Sequence, residues 1–325
     1  MKGTTRRRPR GLLSRTILAI AIGLFVALTG ISELTVLSTD RPTAPPPGLS
    51  YVATDGFRTR FEQWGRPSGH PIVLIHGAFE SVRFWAPTAR VLEASHHVEA
   101  YDLKGYGYTT HVGPYTTEAL SRQLFAFLEA RHLSKPVLVG HSLGAGVIAQ
   151  FVLDHPTMAS GIVFLDGDGL SLSIPGSGIL TWMPGPYRSA LFRSGVRSGL
   201  LVRTIFDAAC GPGCPTLTPT GLAAIQRPFE VAGAEDAFFS YAAHPIVGVT
   251  TGKLLRIRSY DIPARVVVGS ADMEFSAASA RQTARRLGAP YPIIIKGAGH
   301  LSMWSHPRQV AASIESFLAG LPPGP

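Results

Sequence analysis

Residues 136–155 read PVLVGHSLGAGVIAQFVLDH, and this stretch decides the fold. Val137, Leu138 and Val139 form a short aliphatic run stopped by Gly140, the pattern of a strand buried on both faces. GAGVIAQFVLDH, from Gly144 on, reads as a helix. Between the two stands Gly140-His141-Ser142-Leu143-Gly144, which fits G-x-S-x-G. The residue frequencies of a chain this long produce roughly 0.3 such matches by chance, so the context carries the argument. A serine on a tight strand-to-helix turn needs small neighbours two residues before and after, because the backbones crowd there. Gly140, Gly144 and Gly146 meet that need. The helix start adds free N–H groups and a positive dipole end, which favour a developing oxyanion. Ser142 is therefore the candidate nucleophile.

The same punctuation extends outward. FRTRFEQW alternates like a strand, and PIVLIHG and HVEAYDLKG are short runs ending in Gly. TTEALSRQLFAFLEARH opens on a cap-like Thr and carries apolar residues at helical spacing. GIVFLDG, ARVVVGSAD and YPIIIKGAGH are further β-rich runs. Aliphatic runs alternating with helices describe a parallel sheet covered on both faces. About ninety residues between GIVFLDG and ARVVVGSAD break the rhythm, holding WMPGPY, LFRSGVRSGLLVRTIF and GLAAIQ. That interval is too long for a loop and reads as a helical insertion, about 169–255.

A serine hydroxyl needs a base, and the base needs an orienting acid, in the chain order Ser, acid, His. His300 follows the last strand in KGAGH, and Asp272 ends the preceding one in VVVGSAD. Both fall where sites form in open α/β sheets, outside the C-terminal strand ends. Asp166 also ends a strand and rivals Asp272, with Asp168 and Glu274 behind it. The expected oxyanion donors are the backbone N–H groups of Leu143 and of Ala78, with Phe79 as the alternative.

The ends and the charge fit export. Of the net +9, six positives stand before residue 16 (Lys2, Arg6, Arg7, Arg8, Arg10 and Arg15), which leaves +3 for the rest. A nucleic-acid surface would need its basic stripe on the folded part, so no such partner is expected. Residues 16–32, TILAIAIGLFVALTGIS, are uncharged and span roughly 25 Å as a helix. Residues 1–37 therefore read as a basic flank plus an uncleaved anchor, or as a cleaved signal. The catalytic part is then membrane-anchored outside the cytoplasm, or secreted. Residues 38–50, STDRPTAPPPGLS, read as an extended linker unable to pack, residues 51–320 as the catalytic domain and 321–325 as a tail. In an exported domain, Cys210 and Cys214 in CGPGC read as a small disulfide. Two cysteines do not make a zinc site, and no metal is expected.

Taken together, HGAFESVRFWAP, VEAYDLKGYGYT, GHSLG, VVVGSADMEF and GAGHLSMWSHP resemble the α/β-hydrolase superfamily over roughly residues 51–320. They look most like the small hydrolases and haloperoxidase-like members with H-G-x-x-x-S-x-x-x-W and D-x-x-G-x-G. The resemblance implies an α/β-hydrolase fold, a mostly parallel sheet of about eight strands with a helical cap between strands six and seven. It implies a serine-centred acyl mechanism without metal or organic cofactor, and a structural turn at Asp102 and Gly105. Ser142 sets the chain apart from epoxide hydrolases and haloalkane dehalogenases, which use a carboxylate at that position. Lys104 stands where such turns often carry Arg, and an exported chain with paired cysteines departs from intracellular members. The expected substrate is a small ester or acyl compound. Perhydrolysis, C–C bond hydrolysis and a non-enzymatic exported binding module are the alternatives.

Overall fold

Alternation along four short strands builds two cores at once. In β3 (Pro71–Ile75), β5 (Val137–His141), β6 (Gly161–Leu165) and β7 (Ala264–Gly269), successive side chains point to opposite faces. Ile72, Leu74, Val137, Val139, Val163, Leu165 and Val267 line one face. Val73, Ile75, Leu138, Ile162, Phe164, Val266 and Val268 line the other. All are removed from water, which is worth ~1.5–3 kcal/mol per side chain of this size. Helices Ala86–Leu92 and Pro307–Ala319 cover the first face, and Thr117–Ala130, Leu143–Asp154 and Ala277–Leu287 cover the second.

The computed structural model describes residues 10–172 and 182–322, with side chains from Ile17 onward apart from Leu18. The basic residues before Arg10, insertion residues 173–181 and tail residues 323–325 lie outside the described residues. Four more strands, β1 (Ser50–Thr54), β2 (Phe57–Trp64), β4 (His97–Tyr101) and β8 (Ile293–Ile295), complete one sheet ordered β1-β2-β4-β3-β5-β6-β7-β8. β2 runs antiparallel to β1 and β4, and every other pairing is parallel. The mostly parallel eight-stranded sheet is thus as expected. Its parallel strands all end on one edge, where the loops after β3, β5, β6, β7 and β8 meet.

Between β6 and β7 lie helices Gly185–Arg197, Gly199–Cys210, Pro219–Gln226, Ala234–Ala243 and Thr251–Ile257. A disulfide joins Cys210 to Cys214 across a turn in which Gly211 and Gly213 adopt φ of 75° and 81°. The N-terminal helix runs Arg10–Thr39, beyond the apolar run read from sequence. Its segment Ala19–Thr39 is long and apolar enough to cross a membrane and is mostly exposed. This helix is not free of the body. Thr29 hydrogen-bonds Tyr187, and Arg193 Nη1 donates to the Val36 carbonyl at 3.2 Å.

Residues 38–50 depart from the expectation of a linker that cannot pack. The Thr43 N–H donates to the Glu230 carbonyl at 2.8 Å, and Arg227 donates to the Ala44 carbonyl at 3.0 Å. Proline removes only its own N–H, so the threonine and the carbonyls between prolines still bond the insertion.

Candidate active site

Ser142 stands between β5 and helix Leu143–Asp154 with φ 50° and ψ −116°. A non-glycine residue held there stores ~1–3 kcal/mol of strain, which the surrounding packing must impose. The crowding explains the glycines. A Cβ on Gly140 would come 2.5 Å from the Gly144 carbonyl oxygen, and one on Gly144 would come 2.5 Å from the Ile75 oxygen. The turn lifts Ser142 off the strand end and leaves Leu143 as the first residue of the helix.

The loop after β3 meets this turn. A Cβ on Gly77 would lie 3.0 Å from Ser142 Cβ and 2.8 Å from His141 Nδ1. The Gly77 N–H donates to Glu80 Oε2 at 2.9 Å and is therefore occupied. Among the described residues, the backbone N–H groups of Ala78 and Leu143 donate to no other backbone group. Phe79, next along, has φ 62° and turns its ring outward onto Phe238, 5.2 Å between centroids.

His300 and Asp272 are brought together. His300 Nδ1 donates to Asp272 Oδ2 at 3.0 Å. Asp272 Oδ1 accepts the N–H groups of Glu274 and Phe275 at 2.8 and 3.0 Å, so the buried carboxylate is held at both oxygens. Asp166 does not touch the imidazole. Its Oδ1 accepts the Gly269 N–H at 2.7 Å, and its Oδ2 accepts the Ser302 hydroxyl. Asp168 closes a local turn on the Leu170 N–H, 2.9 Å away. Among the described residues Ser142 makes no hydrogen bond to His300, whose Nε2 lies 3.5 Å from the exposed Glu274 carboxylate.

Sequence reading missed two groups, Glu80 and His141. His141, fully buried inside the G-x-S-x-G pentapeptide, lies 3.0 Å from Glu80 Oε1 through Nδ1 and 2.7 Å from the His300 carbonyl through Nε2. No local signal joins them, since they stand sixty-one residues apart. It also missed what the CGPGC turn touches. The N–H groups of Gly299 and Leu301 donate to the carbonyls of Cys210 and Ala209 at 3.3 and 3.2 Å, so the disulfide-closed helix end flanks His300 on both sides.

A family model described as the alpha/beta hydrolase family matches residues 72–313, most of the chain. The chain belongs to the alpha/beta hydrolase family. A probable alcohol acetyltransferase of Wickerhamomyces anomalus is 33% identical over 98 residues, 30% of this chain and 29% of that protein. A putative carbamate hydrolase RutD of Escherichia coli O157:H7 is 35% identical over 98 residues, 30% of this chain and 37% of that protein. The match thus spans about a third of each curated relative. Among solved structures, a membrane phospholipase A described as a bacterial virulence factor has a TM-score of 0.65 at 21% identity. That likeness covers 96% of this chain and 99% of the other. An esterase of Thermogutta terrifontis has a TM-score of 0.65 at 21% identity, covering 83% of this chain and 98% of the other. At these identities the structures show a shared fold.

Electrostatics in this hydrolase act on Asp166 and on His300. Burial pushes Asp166 up to about 6, against the opposing pull of His141 and Ser302. For His300, burial disfavours the cation, but the Asp272 hydrogen bond and charge outweigh it, with Glu274 and Asp166 adding to them. The net effect raises its pKa to about 9.

Proposed function

We propose that this enzyme is a serine hydrolase of carboxylic esters or related acyl compounds, working through an acyl-enzyme on Ser142. The observation that carries the reading is Ser142 on a strained strand-to-helix turn, on the sheet edge that also holds the His300–Asp272 pair. His300 takes the Ser142 proton as the oxygen attacks the acyl carbonyl, and the oxyanion receives the N–H groups of Leu143 and Ala78. The same imidazole then protonates the leaving alkoxide, and water repeats the sequence to release the acid. The path needs no metal or organic cofactor. Phe79, Phe192, Phe238 and Phe239 form an aromatic cluster beside the oxyanion loop, which favours an apolar acyl group. A panel of p-nitrophenyl esters of increasing chain length tests the reading, and absence of hydrolysis across the panel refutes it.

The raised His300 pKa fixes the sign of the pH dependence. Only the neutral imidazole accepts a proton, so kcat/KM should climb with pH toward about 9. Glu274 favours the imidazolium. Glu274→Gln should therefore shift the rising limb to lower pH, measured as kcat/KM for p-nitrophenyl butyrate across pH 6 to 10, in round figures. A limb that stays in place or moves alkaline removes Glu274 from this role.

We further propose that the N-terminal helix anchors the enzyme in a membrane, with the catalytic domain outside the cytoplasm. Its 21-residue apolar segment spans ~30 Å, the hydrocarbon thickness of a bilayer. The membrane phospholipase A covers 96% of this chain, so its likeness reaches into that helix, and it also supports a lipid-like acyl group. The full chain should stay in the membrane pellet after carbonate extraction. Cys210 and Cys214 should resist alkylation of intact cells until a reductant is added. A carbonate-soluble chain or freely alkylated cysteines contradict the placement.

A further inference from the structure

We propose that Glu80 and His141 form a buried ion pair that positions the oxyanion loop, the nucleophile turn and the His300 loop against one another. His141 Nε2 faces the His300 carbonyl oxygen at 2.7 Å, an acceptor only, so this nitrogen carries a hydrogen. Nδ1 faces Glu80, 3.0 Å from Oε1 and 3.2 Å from Oε2. Glu80 Oε2 already accepts the Gly77 N–H. A carboxylate there leaves Nδ1 as a donor too, which makes His141 an imidazolium. The imidazolium ties the elbow to the base loop, and the carboxylate ties the elbow to the loop bearing Ala78.

The other groups facing His141 fit that state. Glu80, buried, would be raised by desolvation, but the charge and hydrogen bond of His141 hold it below the usual range. For His141, burial opposes the cation, and the charge and hydrogen bond of Glu80 outweigh it and raise it. Asp166 adds attraction and His300 repulsion, the two histidine rings lying 4.8 Å apart. His76 is neutral by contrast. Its Nε2 accepts the Leu103 N–H at 2.9 Å, its Nδ1 donates to the Gly77 carbonyl, and burial lowers its pKa.

The proposal rests on the reading of Ser142 and His300 above, and it makes Glu80 and His141 positioning residues. The first test needs no substrate, so it stands apart from that reading. In the ¹⁵N-histidine-labelled full chain near pH 8, the His141 ring, assigned by its loss in His141→Gln, should show two protonated nitrogens. A free histidine, with a pKa of about 6.5, is neutral there. One protonated nitrogen overturns the ion pair. The second test uses Glu80→Gln, whose amide accepts from Gly77 and donates to a neutral His141. Geometry is kept and charge is lost. Removing the cation beside His300 raises the pKa of that base, so the rising limb of kcat/KM should move to higher pH. A structural role alone would leave it in place, and an unmoved limb in a folded variant overturns the proposal. Glu80→Ala, which also strands the Gly77 N–H, should lower kcat about 10- to 100-fold with KM little changed.

Discussion

Ser142→Ala should abolish labelling by a fluorophosphonate probe and slow ester hydrolysis by ~10³-fold or more. The size follows from what remains. Without the hydroxyl no acyl-enzyme forms, and only the oxyanion donors and the bound geometry act on a direct attack by water. Stability should change little, because alanine and serine carry the same Cβ and occupy the φ of 50° at similar cost. An unshifted Tm beside lost labelling therefore separates chemistry from folding. Undiminished labelling of the variant would place the nucleophile elsewhere and sink the proposed mechanism.

Asp272→Asn carries the second large effect. Asp272 Oδ1 accepts two backbone N–H groups, so an asparagine oxygen takes that place and its NH₂ turns toward His300 Nδ1. The imidazole must then accept at Nδ1 and carry its hydrogen on Nε2, the nitrogen that should take the proton of Ser142. The expected loss is ~10⁴ in kcat with KM nearly unchanged, since binding does not use this tautomer. Asp166→Asn should have a modest effect. Its oxygens face the Gly269 N–H and the Ser302 hydroxyl, which an amide oxygen and an NH₂ also satisfy. Burial raises the pKa of this carboxyl to about 6. Steady-state kinetics of both variants decide the matter, and a severe loss in Asp166→Asn with a mild one in Asp272→Asn would falsify the assignment.

The two aspartates show where sequence reading stops. Each ends an aliphatic strand on the same sheet edge, and in sequence Asp272 stands ahead only by following a Gly-Ser-Ala turn after the insertion. What separates them in space is the register of β6 against β7, which hands Asp166 the Gly269 N–H, and Ser302 beyond the β8 loop. Glu274 is similar, since adjacency to Asp272 was visible but its approach to His300 Nε2 was not. The Pro-rich segment shows the reverse error. Its composition describes an isolated chain, whereas Thr43 and Ala44 find partners on the insertion.

What the sequence determined by itself is what local sterics and burial write into short stretches. Aliphatic runs of three or four residues declared strands buried on both faces. Small residues around Ser142 declared a turn with no room for a Cβ, and seventeen uncharged, mostly aliphatic residues near the N-terminus declared an apolar helix. Tertiary structure decided which distant groups share a proton or a hydrogen bond. Glu80 with His141, Asp272 with His300, and the carbonyls of Ala209 and Cys210 with the backbone around His300 are separated by 61, 28 and about ninety residues. Such pairings depend on strand order and loop paths. These are set by the burial of two whole faces of a sheet, and no single stretch of chain records them.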